Sequence, residues 1–210
     1  MFKFCLRFLA IGVVSIGVSV AQSASDEALF LAISRDDASS LSTLFLRGVD
    51  PNLKDAKGQT ALTLALRGGS ERAVAQLIGH PDIKVNLANA HDETPLMMAA
   101  LRGQVDWMRR LLDKGAEVRR EGWTPLHYAA SSPNVEAVRL LLERGAVVDA
   151  PAPNGTTALM MAARYGAEAS VRLLLAYGAD AKARNELGLD AAEFARLGTR
   201  EALAEALRKR

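Results

Sequence analysis

The chain of 210 residues is predicted to be all-α, a solenoid of about six helix-turn-helix repeats joined by short hairpin fingers. Three observations predict this. A run that opens Thr124-Pro125-Leu126-His127 and closes on Gly145-Ala146 returns along the chain at a nearly constant interval. Inside each return the apolar residues follow helical spacing, as in Val138 and Leu140-Leu141-Leu142. Glycines fall where a helix must end or turn, as Gly48, Gly68-Gly69, Gly103, Gly145, Gly166 and Gly178 do.

Aligned on the position of Thr124, the returns begin at Glu27, Thr60, Thr94, Thr124, Thr157 and Asp190, at intervals of 33, 34, 30, 33 and 33 residues. Several positions register together: Thr60-Ala61-Leu62, Thr94-Pro95-Leu96, Thr124-Pro125-Leu126-His127 and Thr157-Ala158-Leu159. The matching endings are Leu44 to Gly48, Leu111 to Gly115, Leu140 to Gly145 and Leu173 to Gly178. A period near 33 residues with T-P-L-H-x-A at one fixed point resembles the ankyrin-repeat family. The resemblance covers residues 25–210, with repeats expected at about 25–57, 58–91, 92–121, 122–153, 154–186 and 187–210. It implies paired helices that bury their apolar faces only against neighbouring pairs, and it gives Thr60, Thr94, Pro95, Thr124, Pro125, His127 and Thr157 structural roles.

Repeat one is expected to start with a helix capped by Ser25 or Asp26 and running through Ser34, then a helix over Ser40–Arg47 ended by Gly48. Glu27 at the threonine slot and the pair Asp36-Asp37 suit a terminal, solvent-facing repeat. Repeat two has an exit, Gly79–Asn86, one residue longer than its counterparts, which a surface loop accepts. In repeat three Pro95 sits in the first turn, where its missing N–H is harmless, and Thr94 before it is placed to cap. The pair Ala99-Ala100 allows close helix approach. Between repeats three and four the interval drops to 30, so one finger should be truncated, leaving a notch beside Arg119 and Arg120. Repeat four uses Ser132-Pro133-Asn134 for its inter-helix turn. The finger Ala150-Pro151-Ala152-Pro153 before repeat five should be stiff. Repeat six ends in Arg208-Lys209-Arg210, cations that suit a helix C-terminus.

Positions 1–21 read as a secretory signal peptide. Lys3 and Arg7 open it, Phe8 to Val20 form the apolar run, and Ser19 and Ala21 have the spacing of a cleavage site. The competing reading is an uncleaved anchor; the short apolar run favours cleavage. A periplasmic or secreted location follows. The single cysteine, Cys5, lies in this leader, so packing must hold the rest. The net charge of +2 also resides there: without Lys3 and Arg7, 24 basic residues face 24 acidic ones. That balance argues against a nucleic-acid partner. Past residue 25 charges interrupt every apolar run, so no stable membrane span is expected.

The sequence points to no catalysis, no cofactor and no metal. It holds no Ser-His-Asp order, phosphate loop or HExxH. His127 belongs to the repeat motif, and its ring is expected to bond backbone in the adjacent turn. His80 and His91 have no third ligand at convincing spacing. What remains free of the repeat pattern is a binding surface for a protein partner: Arg67, Arg102, Arg164 and Tyr165, with Leu101 and Ser131, on first helices, and Arg119, Arg120 and Trp123, with Asn89, near the fingers. Aromatic residues and arginines are the types that dominate interfaces. Met98, Tyr128 and Met161 fall in a core register. The resemblance implies a protein–protein interaction module, exported, with stress defence as one setting. An inhibitor, immunity or effector-like protein that binds an enzyme or host target is the alternative.

Overall fold

The computed structural model describes residues 24–210, and the signal peptide expected at 1–21 lies outside them. Among the described residues there are twelve α-helices and, apart from one isolated bridge between Lys54 and Thr60, no β-structure. This is an all-α repeat solenoid, as the periodicity implies. The chain divides into two compact units, one ending at Ile83 and one spanning Lys84–Arg210.

The first unit holds α1 (24–34), α2 (Ala38–Leu46), α3 (Ala61–Gly68) and α4 (Glu71–Gly79). Backbone is already helical at residue 24, so Ser25 and Asp26 lie inside α1 and do not cap it. The acidic pair that looked merely solvent-facing does the capping. Asp37 accepts from the Ser39 and Ser40 amides at the start of α2, both at 3.1 Å. Asp36, at φ 52°, accepts from Ala73 N–H in α4 at 2.8 Å. Ser70, which precedes α4, supplies no side-chain cap of its own, so the carboxylate from the preceding turn fills an orphan donor position. The hydrogen bond from the Ser40 hydroxyl, with those from the Ser40 and Ser39 amides, holds the Asp37 carboxyl below its usual range. Leu29, Ile33, Leu41, Leu62, Leu66 and Leu77 form the core of this unit.

The second unit runs α5 (Pro95–Leu101), α6 (Val105–Asp113), α7 (Pro125–Ala130), α8 (Val135–Glu143), α9 (Ala158–Tyr165), α10 (Glu168–Ala176), α11 (Ala191–Leu197) and α12 (Glu201–Arg208). Odd-numbered helices pack in the row α5, α7, α9, α11, and the even-numbered helices α6, α8 and α10 pack in a second row. The first row owes its close approach to alanine: Ala99, Ala100, Ala129, Ala130, Ala162 and Ala163 are fully buried. Gly166, in the turn between α9 and α10, serves the same purpose. A Cβ on Gly166 would lie 2.1 Å from the Ala130 carbonyl oxygen.

The recurring slot is a helix cap. Thr60, Thr94, Thr157 and Asp190 each precede a first helix and accept from the amide three residues on, at 3.0–3.4 Å. The residue three on returns the bond to the cap's own N–H: Met97 and Met160 through sulfur at 3.4 Å, Glu193 through a carboxylate at 2.8 Å. Two orphan donors are satisfied at once. Repeat one departs from this, since Glu27 lies within α1.

Fingers close by a second local device. Asp55, Asn89 and Asn185, five residues before their caps, each accept through a side-chain oxygen from the amides two and four residues on, at 2.8–3.0 Å. Each then donates its own N–H to the carbonyl four residues on. Arg119 holds this position in the shortened finger, where the backbone makes only bends.

Candidate protein-docking face

The site is built where the finger is short. Trp123 directly precedes cap Thr124, at a slot filled elsewhere by Gln59, Glu93, Thr156 and Leu189. Half-buried, its ring stands edge-on to His127, with centroids 5.3 Å apart at 75°. Together with Leu101 from α5, Tyr128 from α7 and Ser131 at its end, and Met161 and Tyr165 from α9, the pair lines an open, mainly apolar cleft of about 320 Å3. Three consecutive first helices thus contribute to one depression. Its floor is low because repeat four carries Ser131 where its neighbours carry Leu101 and Arg164.

His127 anchors this arrangement. It is 1% exposed. Nδ1 accepts from the Thr124 amide at 3.1 Å and meets the Thr124 hydroxyl at 2.9 Å. Nε2 donates to the Thr156 carbonyl at 2.9 Å, so the ring is the neutral Nε2–H tautomer. Burial pushes its pKa below the ordinary 6.5, and the bond to Thr156 only partly opposes that shift. The expected bond to backbone in the adjacent turn is therefore present.

The sequence-selected residues separate by what they touch. Trp123 and Tyr165 meet in the cleft, and Arg164 stands over the Tyr165 ring, 4.9 Å from its centroid. Arg102, exposed, follows Leu101 at the end of α5. Arg119 and Arg120 are engaged within the chain. Arg119 Nε donates to the carbonyl of Gly145, which ends α8, at 2.6 Å. Arg120 donates to the Asp92 carbonyl at 2.9 Å and pairs with its carboxylate at 2.6 Å. Arg67 is exposed in the last turn of α3, in the first unit. Asn89, considered a finger-tip contact, is 5% exposed and shapes its own finger.

Of the three residues expected in a core register, two line the cleft instead. Met98 is core, 1% exposed, but Tyr128 and Met161 are half-buried in the cleft. The Tyr128 hydroxyl donates to Glu93 at 3.2 Å. Helical spacing carried the signal: Met161 lies four residues before Tyr165, and Tyr128 three before Ser131, on one face. Among the described residues no group of three His, Cys, Asp or Glu could hold a metal ion. His80 packs edge-on against Phe45, and His91 is exposed. No described helix is long and apolar enough to cross a membrane.

These features define a class: a repeat scaffold whose helices pack on one another in rows. The chain belongs to the ankyrin-repeat family. The family described as ankyrin repeats (3 copies) matches residues 29–121 and 117–185. An ankyrin repeat-containing protein of Treponema pallidum is 30% identical over 169 residues, covering 80% of this chain and 47% of that protein. Ankyrin repeat and SAM domain-containing protein 6 of Rattus norvegicus is 38% identical over 152 residues, 72% of this chain but 14% of that one. This chain thus matches less than half the length of either relative. Among solved structures, a chain from the complex of the Bd0816 predatory endopeptidase of Bdellovibrio bacteriovorus with immunity protein Bd3460 is similar at TM-score 0.73 and 30% identity. The match covers 87% of this chain and 97% of that one.

Proposed function

We propose that this chain is a non-catalytic binding module, exported to the periplasm or beyond, that seats a protein partner on the first-helix face of its second unit. The observation that carries this reading is the cleft at the shortened finger, where Trp123, Tyr128 and Tyr165 offer rigid aromatic surface to solvent. Such residues bind at low entropic cost, and the buried His127 cap fixes the helix that bears Tyr128. The reading of residues 1–21 as a leader supports export. Of the two settings considered, inhibition of an enzyme has a specific observation behind it, because the similar solved complex pairs an endopeptidase with an immunity protein. On that narrower reading the partner is an enzyme held inactive while bound.

Crosslinking in the periplasm of the native host tests the main reading. Wild-type chain recovers a defined protein, whereas a Trp123→Ala, Arg102→Ala, Tyr165→Ala variant with unchanged helicity does not. Equal recovery by both would show that the docking face lies elsewhere. N-terminal sequencing of the exported protein tests the leader: a start at Gln22 supports it, and an intact Met1 refutes it.

A further inference from the structure

We infer that the segment seated on this face is acidic as well as apolar: an aromatic or aliphatic side chain flanked by carboxylates. The inference rests on the docking reading above and adds the chemistry of the partner. It comes from an asymmetry between the two helix rows of the second unit. Even-numbered helices carry both signs, such as Asp106 with Arg110 and Glu136 with Arg139. The last turns of α5, α9 and α11 instead each pair one exposed apolar residue with one arginine and no acid. Leu101 is followed by Arg102, Arg164 by Tyr165, and Arg196 by Leu197. Those apolar side chains are 39%, 54% and 52% exposed.

Two carboxylates beside this face accept hydrogen bonds from within the chain. Glu193, the acid of α11, accepts from the Asp190 amide at 2.8 Å. Glu93, which takes the Tyr128 hydroxyl, also accepts from the Asn89 amide group at 2.7 Å. Arg196 is partly neutralised by Glu201 at 3.4 Å, so Arg102 and Arg164 are the main guanidinium groups of the face. A planar fork beside an apolar surface suits a carboxylate next to a hydrophobic anchor. The cleft of about 320 Å3 has room for one large side chain.

Selection from a displayed random dodecapeptide library on the immobilised full chain tests this. Enriched peptides should place Asp or Glu within two residues of a Phe, Trp, Leu or Ile. An Arg102→Glu, Arg164→Glu variant with unchanged circular dichroism should bind them at least about tenfold more weakly, with weakening in wild type as salt rises. Neutral or basic peptides bound equally by both proteins overturn the acidic chemistry and leave the docking reading standing. If a Leu101→Ala, Tyr165→Ala variant binds every selected peptide as wild type does, or if nothing is enriched, the docking reading falls with it.

Discussion

Repeat four solves with borrowed groups what its neighbours solve alone. Repeats three and five return the cap bond with Met97 and Met160, each to the threonine three residues before it, although the Met97 sulfur also lies 3.9 Å from Arg120 Nη1. Repeat four uses His127, whose second nitrogen binds the Thr156 carbonyl of the next finger. Repeat three closes its finger with Asn89, bonded to residues within four positions. In repeat four Arg119 and Arg120 reach instead to Gly145 and Asp92. At the inter-helix turn, Gly103 and Gly166 stand where repeat four has Pro133, and Asn134 beside it donates to the Gly103 carbonyl at 2.9 Å. The unit that carries most of the cleft is therefore the one tied to both neighbours. That arrangement trades local independence for a face with fixed walls, and fixed walls lower the ordering cost of binding.

The inter-helix turn gives the largest predicted contrast. Gly166→Ala places a methyl 2.1 Å from the Ala130 carbonyl oxygen and 3.0 Å from Ala162 Cα, both backbone atoms. Backbone must move, so a loss of about 3 kcal/mol or more is expected in urea unfolding. Pro133→Ala, at the exposed matching position of repeat four, should cost under about 1 kcal/mol. Equal effects would mean that the two turns pack alike and that the contrast is only one of sequence.

The cap slot gives the next. His127→Ala leaves the Thr124 amide and the Thr156 carbonyl without their partner, at a cost of about 2 kcal/mol. His127→Met, which copies repeats three and five, should recover about half of that by restoring the cap alone. The pH dependence separates the two chemistries. Because the folded state holds His127 below its ordinary value of 6.5, the unfolded state binds the extra proton. The stability owed to the neutral ring is complete above that value and drains away as pH falls below it. Wild type should thus lose more stability than His127→Met between pH 7.5 and 5. Parallel curves would show that the ring takes up its proton without disturbing the cap.

The fold was legible because its determinants are local and recur. Caps at Thr60, Thr94, Thr124, Thr157 and Asp190 recur every 30–34 residues, and each alanine pair of repeats three to five stands at a fixed distance from its cap. The face was less legible for two physical reasons. Arginine signals surface by its charge, yet Arg119 and Arg120 spend theirs on a carbonyl and on Asp92, which only the folded chain brings within reach. Tyr128 and Met161 have the spacing of core residues, and only the small Ser131 beside them opens the depression that exposes them. Asp36 hid its role likewise, its partner Ala73 lying 37 residues away.

The smallest effects concern the fingers, and there the comparison is sharpest. Asn89→Ala removes the buried side-chain oxygen that accepts from two amides and should cost about 1–2 kcal/mol. Arg120→Ala should cost under about 1 kcal/mol, because the Asp92 carboxylate it pairs with is largely in water. Asp92, at φ 60°, occupies the position that Gly58, Gly122, Gly155 and Gly188 fill at similar angles in the other fingers. A side chain there is strained, and the Arg120 bridge offsets the strain. Asp92→Gly relieves the one as it removes the other, so its net effect should lie within about 0.5 kcal/mol of zero. In that background the Arg120→Ala cost should shrink by at least half, leaving only the bond to the residue 92 carbonyl. A double-mutant cycle by urea unfolding measures the difference. Independent effects of the two substitutions would show that the bridge does not compensate the backbone, and that the shortened finger stands by itself as the others do.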